Sequence, residues 1–480
     1  MAPSVAIIGA GFGGLCMGIR LRAAGITSFT IFEKAGGVGG TWRDNTYPGA
    51  ACDVPSHLYS YSFEQARGWT RRFPRQPEIL AYLEHCADKY RLRRHLRLNT
   101  EVTAAAFDEE RGCWRVTTAG GQQESFDVVV TGVGQLNRPH LPEIPGMPDF
   151  AGTAFHSARW DHGHDLAGRR VAVIGNGSSA AQLIPRVAAA AGHLDVYQRT
   201  PSWVIPKPDG PYGPVLRPAF RWLPGLLAAD RQRIFRFMEG LIYPVIVDGW
   251  SRPLVTRRAR EHLRRQVPDP ALRARLTPGY PIGCKRIVID SDFYPALTRP
   301  NVDLVTTPIA RVVPEGIETA DGTVRAADTI VYATGFRTTE FLAPVEVTGR
   351  GGRPLAEVWK DGAEAYLGMA VPNFPNLFML YGPNTNLGHS SIVLMIESQV
   401  RYIMGCLPLL SARGPMEVRP ESLDAWRAAL DRAMARTVWE AGCRSWYKNA
   451  SGRVTNNWPG PVATYRRITR RPRPEAYTYG

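Results

Sequence analysis

Short apolar runs, each closed by a glycine-rich turn and followed by helical spacing, recur along the chain and predict alternating strand and helix. The first run is Ser4–Ile8, followed by Gly9-Ala10-Gly11-Phe12-Gly13-Gly14, a helical pattern over Leu15–Ala24, and a second run, Phe29–Phe32, that ends at Glu33. The same grammar returns at Arg170–Ile174, with Gly175-Asn176-Gly177-Ser178-Ser179-Ala180, a helix over Ala181–Ala190 and a strand over Leu194–Tyr197. There the second strand runs into Gln198-Arg199-Thr200 rather than an acid. Two such units about 165 residues apart predict an α/β fold with two dinucleotide-binding, Rossmann-like domains.

Between Pro201 and Pro281 the pattern changes. Prolines and glycines break the chain at Pro206–Pro218, and arginine-rich helical spacing then runs from Asp230 to Arg275, as expected of a helical insertion. A strand-rich stretch, Val302–Thr334, follows, then a strand over Leu377–Tyr381 and a helix from Ser391 to about Leu410. The expected layout is a first dinucleotide domain at 1–150, a second at 151–204, the insertion at 205–280, the rest of the second domain at 281–330, and the rest of the first with a tail at 331–480.

The turns carry definite chemistry. Gly9, Gly11 and Gly14 let backbone approach a diphosphate at a helix N-terminus, with Phe12 in the same turn. Glu33, 24 residues after Gly9, stands where ribose hydroxyls need an acceptor and repels a 2′-phosphate, so the first site is expected to take FAD or NAD. In the second unit Gly175, Asn176, Gly177, Ser178 and Ser179 form the turn, and Arg199 with Thr200 occupies the place of the acid. A guanidinium there grips a 2′-phosphate, which points to NADPH. Taken alone, a lone glycine turn or a surface arginine carries no such meaning; the strand–helix–strand context gives it. NADPH beside a flavin is an arrangement for hydride transfer.

Composition narrows the picture. At 480 residues, 44% of them apolar, the chain exceeds a single growing core. The apolar stretches, such as Gly240–Val247, are too short to span a bilayer, and the N-terminus has no basic leader. The net charge of +15 is spread along the chain, and its densest cluster, Arg466 to Arg473, carries no nucleic-acid motif. We therefore expect a cytoplasmic protein with neither nucleic-acid nor membrane partner. Seven scattered cysteines with no CxxC pair are expected to be free thiols, with no metal site and no redox dithiol beside a flavin. Oxygen is then the natural acceptor for flavin electrons.

Two long gapped patterns go further. Phe150, Gly152, His156, Trp160 and Asp161 form one, just before the second unit; Gly39, Gly40, Trp42, Tyr47, Pro48, Gly49 and Asp53 form the other. On these the chain resembles the Baeyer–Villiger monooxygenases, class B flavoprotein enzymes, nearly end to end. The resemblance implies that NADPH reduces FAD, that oxygen forms a C4a-peroxyflavin, and that a small-molecule ketone becomes an ester or lactone. It implies that Arg286, in Gly283-Cys284-Lys285-Arg286, is the essential cation and that Asp53 holds it. It further implies that Lys285 contacts the 2′-phosphate, that Gln135 and Trp446 contact the nicotinamide nucleotide, and that Trp42 and Tyr59 pack at the flavin. Gly40, Thr41, Val102, Gln182 and Asn384 complete the expected cofactor contacts. His156 and Trp160 are expected to act in conformation at the domain linker rather than as acid or base. His389, in a stretch expected to line the substrate pocket, either contacts substrate or packs. The run Ser445-Trp446-Tyr447 keeps the family pattern but lacks the glycine-rich stretch that commonly follows it.

Other readings stay open on sequence. A nitrogen- or sulfur-oxygenating flavin monooxygenase needs no Arg286–Asp53 pair. A flavin-binding sensor consumes no NADPH in response to ketone, and an NADPH oxidase releases peroxide whatever the substrate. The sequence does not name the ketone or the oligomeric state.

Overall fold

The computed structural model describes residues 2–440, 442–443 and 445–480. Two five-stranded parallel sheets organise it. The first runs, in spatial order, Leu377–Met379, Val128–Thr131, Val5–Ile8, Phe29–Phe32 and Leu96–Arg97. The second runs Val302–Val305, His193–Tyr197, Arg170–Ile174, Thr329–Tyr332 and Thr153–His156. Val5–Ile8 and Val128–Thr131 are buried at every position, the consequence of covering a parallel sheet on both faces. That is why these strands read as continuous apolar runs rather than alternating ones. The expected domain boundary at 330/331 falls inside the strand Thr329–Tyr332, which belongs wholly to the second sheet.

Both glycine turns feed directly into helices. Helix α1, Phe12–Ala23, and helix α2, Ser178–Ala190, begin three residues before the helical patterns expected from sequence, because the end of each turn already has helical backbone. A Cβ on Gly14 would sit 1.8 Å from the Gly9 carbonyl oxygen, so the first helix lies directly on its own turn. Ala180 holds the matching place in the second unit and is fully buried, so that turn has room for one methyl.

The insertion is helical, as expected, but its helices begin at Leu216 rather than at Asp230. Helices α3 (Leu216–Trp222), α4 (Pro224–Phe237), α5 (Tyr243–Ile246) and α6 (Arg252–Gln266) form it, with a π-helical turn at Met238–Ile242 joining α4 to α5. The prolines of α4, α5 and α6 lie in their first turns, where the missing N–H leaves no helical bond unmade.

Helix α7, Ile392–Arg413, corrects the expectation that every apolar stretch is too short to cross a bilayer: its 22 residues are long and apolar enough. It is a core helix here. Val393, Ile396, Val400 and Ile403 are buried in the same cluster as Leu15 and Ile19 of α1. A short helix, α8 (Val462–Ile468), follows near the C-terminus.

Candidate active site

A cavity of about 310 Å³ opens beside the first glycine turn. Gly9, Gly11 and Phe12 line it from one side, Gly40, Thr41 and Trp42 from another, with Glu33, Tyr59, Val102 and Gln135 around them. Gly14 is absent from the lining; its contribution is the close packing of α1. Trp42 and Tyr59 are held together, the indole Nε1 donating to the phenol oxygen at 3.0 Å. Glu33 is more engaged than its sequence position revealed: Oε2 accepts from the Ala10 N–H at 2.9 Å, and Oε1 from Ala35 N–H at 3.0 Å and Arg43 at 3.1 Å. These bonds fix the carboxylate at the strand end beside the turn.

The second unit closes the far side. Ser178, Ser179 and Gln182, all on α2, reach the same cavity. Gln182 knits the two units together: its Oε1 accepts from Tyr47 and the Ala51 N–H, and its Nε2 donates to the Ala51 carbonyl at 3.0 Å and to Asp53 Oδ1 at 3.3 Å. The other Asp53 oxygen accepts from Arg286 Nη2 at 3.1 Å. Asp53 is buried at 8% exposure while Arg286 keeps 35%, so the carboxylate is fixed and the guanidinium still faces open space. Burial alone disfavours the Arg286 charge, but Asp53, Tyr447 and Tyr381 outweigh it and the guanidinium pKa is raised. Arg286 makes no other hydrogen bond among the described residues, so most of its N–H donors remain for a ligand. Burial pushes the Tyr447 hydroxyl up to about 12 against the opposing pull of Arg286, and raises Tyr381 likewise; both are neutral near pH 7. Cys52, buried beside Asp53, is pushed to about 12 by burial and carries no thiolate.

The second glycine turn lies outside this cavity. The Asn176 side chain donates to Gln198 at 2.9 Å and to the Thr200 carbonyl at 2.7 Å, fixing Gly175–Gly177 against the end of the neighbouring strand. Arg199 is exposed there. Lys285 is close enough that its pKa is lowered, first by burial and then by the Arg199 charge. Two cations sit together with no carboxylate paired to either among the described residues.

Two predicted contacts lie elsewhere. Asn384 is buried in a turn at φ +55°, and its amide donates to the Val454 and Asn457 carbonyls, so it pins the C-terminal segment rather than lining the cavity. Trp446 meets Tyr447 in a tilted pair, 4.5 Å between ring centres, and also lies off the cavity lining.

The cysteine expectation needs correction. Cys284 and Cys443 form a disulfide, with Cα atoms 6.3 Å apart across 159 residues; the other five are thiols. No spacing signature exists for such a long-range pair. The bond ties the Arg286 loop to the segment carrying Trp446, and Cys284 is fully buried away from the cavity lining.

Of the histidines, His156 accepts from the Ala158 N–H at 3.1 Å through Nδ1. Burial lowers its pKa to about 4, so the ring is neutral, and it has no acidic partner among the described residues. His389 packs: its side chain is fully buried and Nε2 meets Glu239 Oε1 at 3.0 Å. Burial opposes the Glu239 charge, yet His389 and the N–H groups of Ala463 and Val462 hold its pKa low. Glu239 thus joins the insertion to α8 and to the 384–389 stretch. Sequence reasoning gave no role to Glu239, Tyr381, Tyr447 or Arg43; the first three gain meaning only from partners remote in the chain, and Arg43 from Glu33 ten residues before it.

The residues present fit two dinucleotides. Neither α1 nor α2 has a side-chain N-cap or an acid in its first turn, leaving the N–H groups of both helix starts for phosphate. Ser178 Oγ and Gln135 Oε1 are buried at the cavity without a hydrogen-bond partner among the described residues, the condition of groups built to meet a ligand.

Comparison with known proteins agrees. A family model described as flavin-binding monooxygenase-like matches residues 2–214. The chain is 46% identical over 471 residues to a Baeyer-Villiger monooxygenase of Streptomyces coelicolor, covering 97% of this chain and 91% of that protein. It is 45% identical over 477 residues to one of Pseudomonas aeruginosa, covering 98% and 90%. Among solved structures, a steroid monooxygenase bound to NADP superposes with a TM-score of 0.86 at 34% identity, covering 98% of this chain and 97% of the other. Cyclohexanone monooxygenase from Rhodococcus sp. Phi1, bound to NADP+, gives 0.88 at 30% identity over 97% and 96%.

Proposed function

The chain belongs to the Baeyer–Villiger monooxygenases, and we propose on that premise that it oxygenates a small-molecule ketone to an ester or lactone, with Arg286 as its central cation. The observation that carries this reading is the Arg286–Asp53 pair at the edge of the cavity, a fixed cation with donors to spare. Bound in the cavity, FAD reduced by NADPH supplies the activated oxygen for insertion beside the carbonyl.

The chain's own residues then have defined tasks. The turn at Gly9–Gly11 with the start of α1 and the turn at Gly40 hold the diphosphate, and Glu33 takes the ribose hydroxyls. Trp42 and Tyr59, locked to one another, pack at the flavin ring. Arg199 and Lys285 select NADPH by gripping its 2′-phosphate, while Gln135 and Trp446 contact the nicotinamide end. Arg286 donates to the carbonyl oxygen of the ketone as negative charge develops there, and Asp53 keeps the guanidinium aimed and charged. Because Asp53 is itself held by Gln182 of α2, the contact between the two dinucleotide units helps set the arginine.

The test is NADPH oxidation by the purified holoenzyme against a panel of ketones and sulfides, with hydrogen peroxide monitored. Ketone-dependent consumption with an ester or lactone product is expected. Peroxide release unaffected by every ketone would overturn the reading, and sulfoxide as the sole product would make the enzyme a sulfur oxygenase instead.

A further inference from the structure

Ten large apolar side chains stand exposed among the described residues, and eight of them fall between Val215 and Leu254, in the helical insertion. Trp222 and Trp250 are 73% and 65% exposed. Such a concentration is a marked departure from the scattered single exposures of an ordinary surface.

They follow one another along the insertion. Leu226 and Phe237 are eleven residues apart on α4, which brings them within about 20° of each other around the helix and about 16 Å apart along it; Arg233 lies between them on the same stripe. At one end Trp222 and Leu223 form the α3–α4 corner. At the other, the helical turn after Phe237 reaches Leu241, whose carbonyl accepts from Ser251 Oγ at 2.6 Å. Trp250 precedes that serine, and Leu254 lies one turn beyond it on α6.

Charge decides what such a face fits. From Val215 to Gln266 there are eleven arginines and no lysine against four acids. All four acids are already paired: Asp230 with His57 and Arg233, Glu239 with His389, Asp248 with Arg252, and Glu261 with Arg265. Arg231 is buried, its guanidinium turned to the His57 and Ser60 carbonyls, and the remaining arginines, Arg257 and Arg258 among them, give the segment an uncompensated positive field around exposed tryptophan, phenylalanine and leucine. A second copy of the chain meeting this face with its own would set arginine against arginine. Nucleic acid would engage the arginines but leave leucine and valine in water. A bilayer surface rich in anionic phospholipid satisfies both features: apolar side chains enter the headgroup–acyl boundary while arginines meet phosphate.

Against the sequence expectation of no membrane partner, we propose that this outer face of the insertion docks peripherally on an anionic phospholipid surface. The short apolar runs of the insertion rule out crossing, and they are compatible with lying on the surface. The inner side of the same element borders the site: Gly283 packs against Val245 and Gly388 against Ile246, both of α5. Docking would therefore place a membrane on one side of the insertion and the Arg286 loop on the other.

The test is flotation of the FAD-loaded enzyme with phosphatidylcholine vesicles, with and without phosphatidylglycerol. Binding to the phosphatidylglycerol vesicles is expected, with little to phosphatidylcholine alone. The triple variant Trp222→Ser, Phe237→Ser, Trp250→Ser should weaken it at least about tenfold, and Arg257→Glu with Arg258→Glu should abolish the lipid preference. All these positions lie away from the cofactor cavity, so flavin content and turnover of a water-soluble ketone should stay unchanged and report intact folding. Wild-type enzyme that fails to float with anionic vesicles overturns the proposal. So does binding that the triple variant leaves intact, or a dimer in sedimentation velocity that the triple variant splits.

Discussion

Asp53 Oδ2 accepts a hydrogen bond from Arg286 Nη2 at 3.1 Å, joining residues 233 positions apart. The carboxylate comes from the segment after the first glycine turn, the guanidinium from the stretch that follows the insertion. Gln182 of the second unit holds the other oxygen of Asp53, so three separate parts of the chain meet at one ion pair.

This pair makes the sharpest prediction. Arg286→Ala should lower kcat for ketone oxygenation by about a hundred- to a thousandfold, the usual loss for removing a donor aimed at a developing oxyanion. Flavin content, read from absorbance, should not change, because Arg286 is not among the residues around the first glycine turn. Asp53→Asn should fall between wild type and Arg286→Ala, since it keeps an acceptor but not the charge. Ester formation at the wild-type rate in Arg286→Ala would remove the arginine from the mechanism.

Arg199 and Lys285 form a cation pair with no carboxylate bound to either among the described residues. Replacing either with Ala should raise KM for NADPH about ten- to a hundredfold, the worth of a charge-assisted hydrogen bond, with kcat at saturation little affected. KM for NADH, which has no 2′-phosphate, should stay as it is. Equal loss with both nucleotides would show that the pair serves folding rather than selection.

His156 carries a pH signature. Its imidazole takes up a proton only near 4 in the native state against 6.5 in the unfolded chain, so the native pKa is depressed. The associated stability is complete above about pH 6.5 and is lost as the pH falls towards 4, by about 3 kcal/mol in total. Urea unfolding of the wild type at pH 7 and pH 5 should show this decline, and His156→Gln should flatten it. Identical slopes in the two proteins would place the acid sensitivity elsewhere.

The Cys284–Cys443 bond closes a loop of 159 residues. Thiol titration of the unfolded, unreduced chain should find five reactive groups rather than seven. Cys443→Ser should lower unfolding stability by about 2–5 kcal/mol, because so long a loop is costly to close without a covalent tie. Seven thiols in the unfolded chain would remove the bond.

Much of the architecture was legible because its signals are local. A buried parallel strand must be apolar throughout, and a turn that brings backbone onto backbone must be glycine, as Gly14 is beneath the Gly9 carbonyl. Glu33 and Arg199 were readable for the same reason: each lies a fixed distance past its turn. The bonds of the Asn384 amide to the Val454 and Asn457 carbonyls were not legible, because the turn at Gly382 and Pro383 does not say which way the amide faces. The His389–Glu239 contact and the Cys284–Cys443 bond left no sign at all, since their partners lie 150 and 159 residues away.

The sequence by itself determined the two strand–glycine–helix units, the sign of charge at the end of each second strand, and the family pattern that singles out Arg286 and Asp53. These depend on spacing along the backbone, where periodicity and a few residue types suffice. Only the tertiary structure decided that Asp53 is clasped from both sides, that Arg286 keeps donors free, and that the insertion turns its tryptophans and arginines outward. Those outcomes rest on which distant segments pack together, and contact across hundreds of residues is a property of the folded chain rather than of any stretch of it.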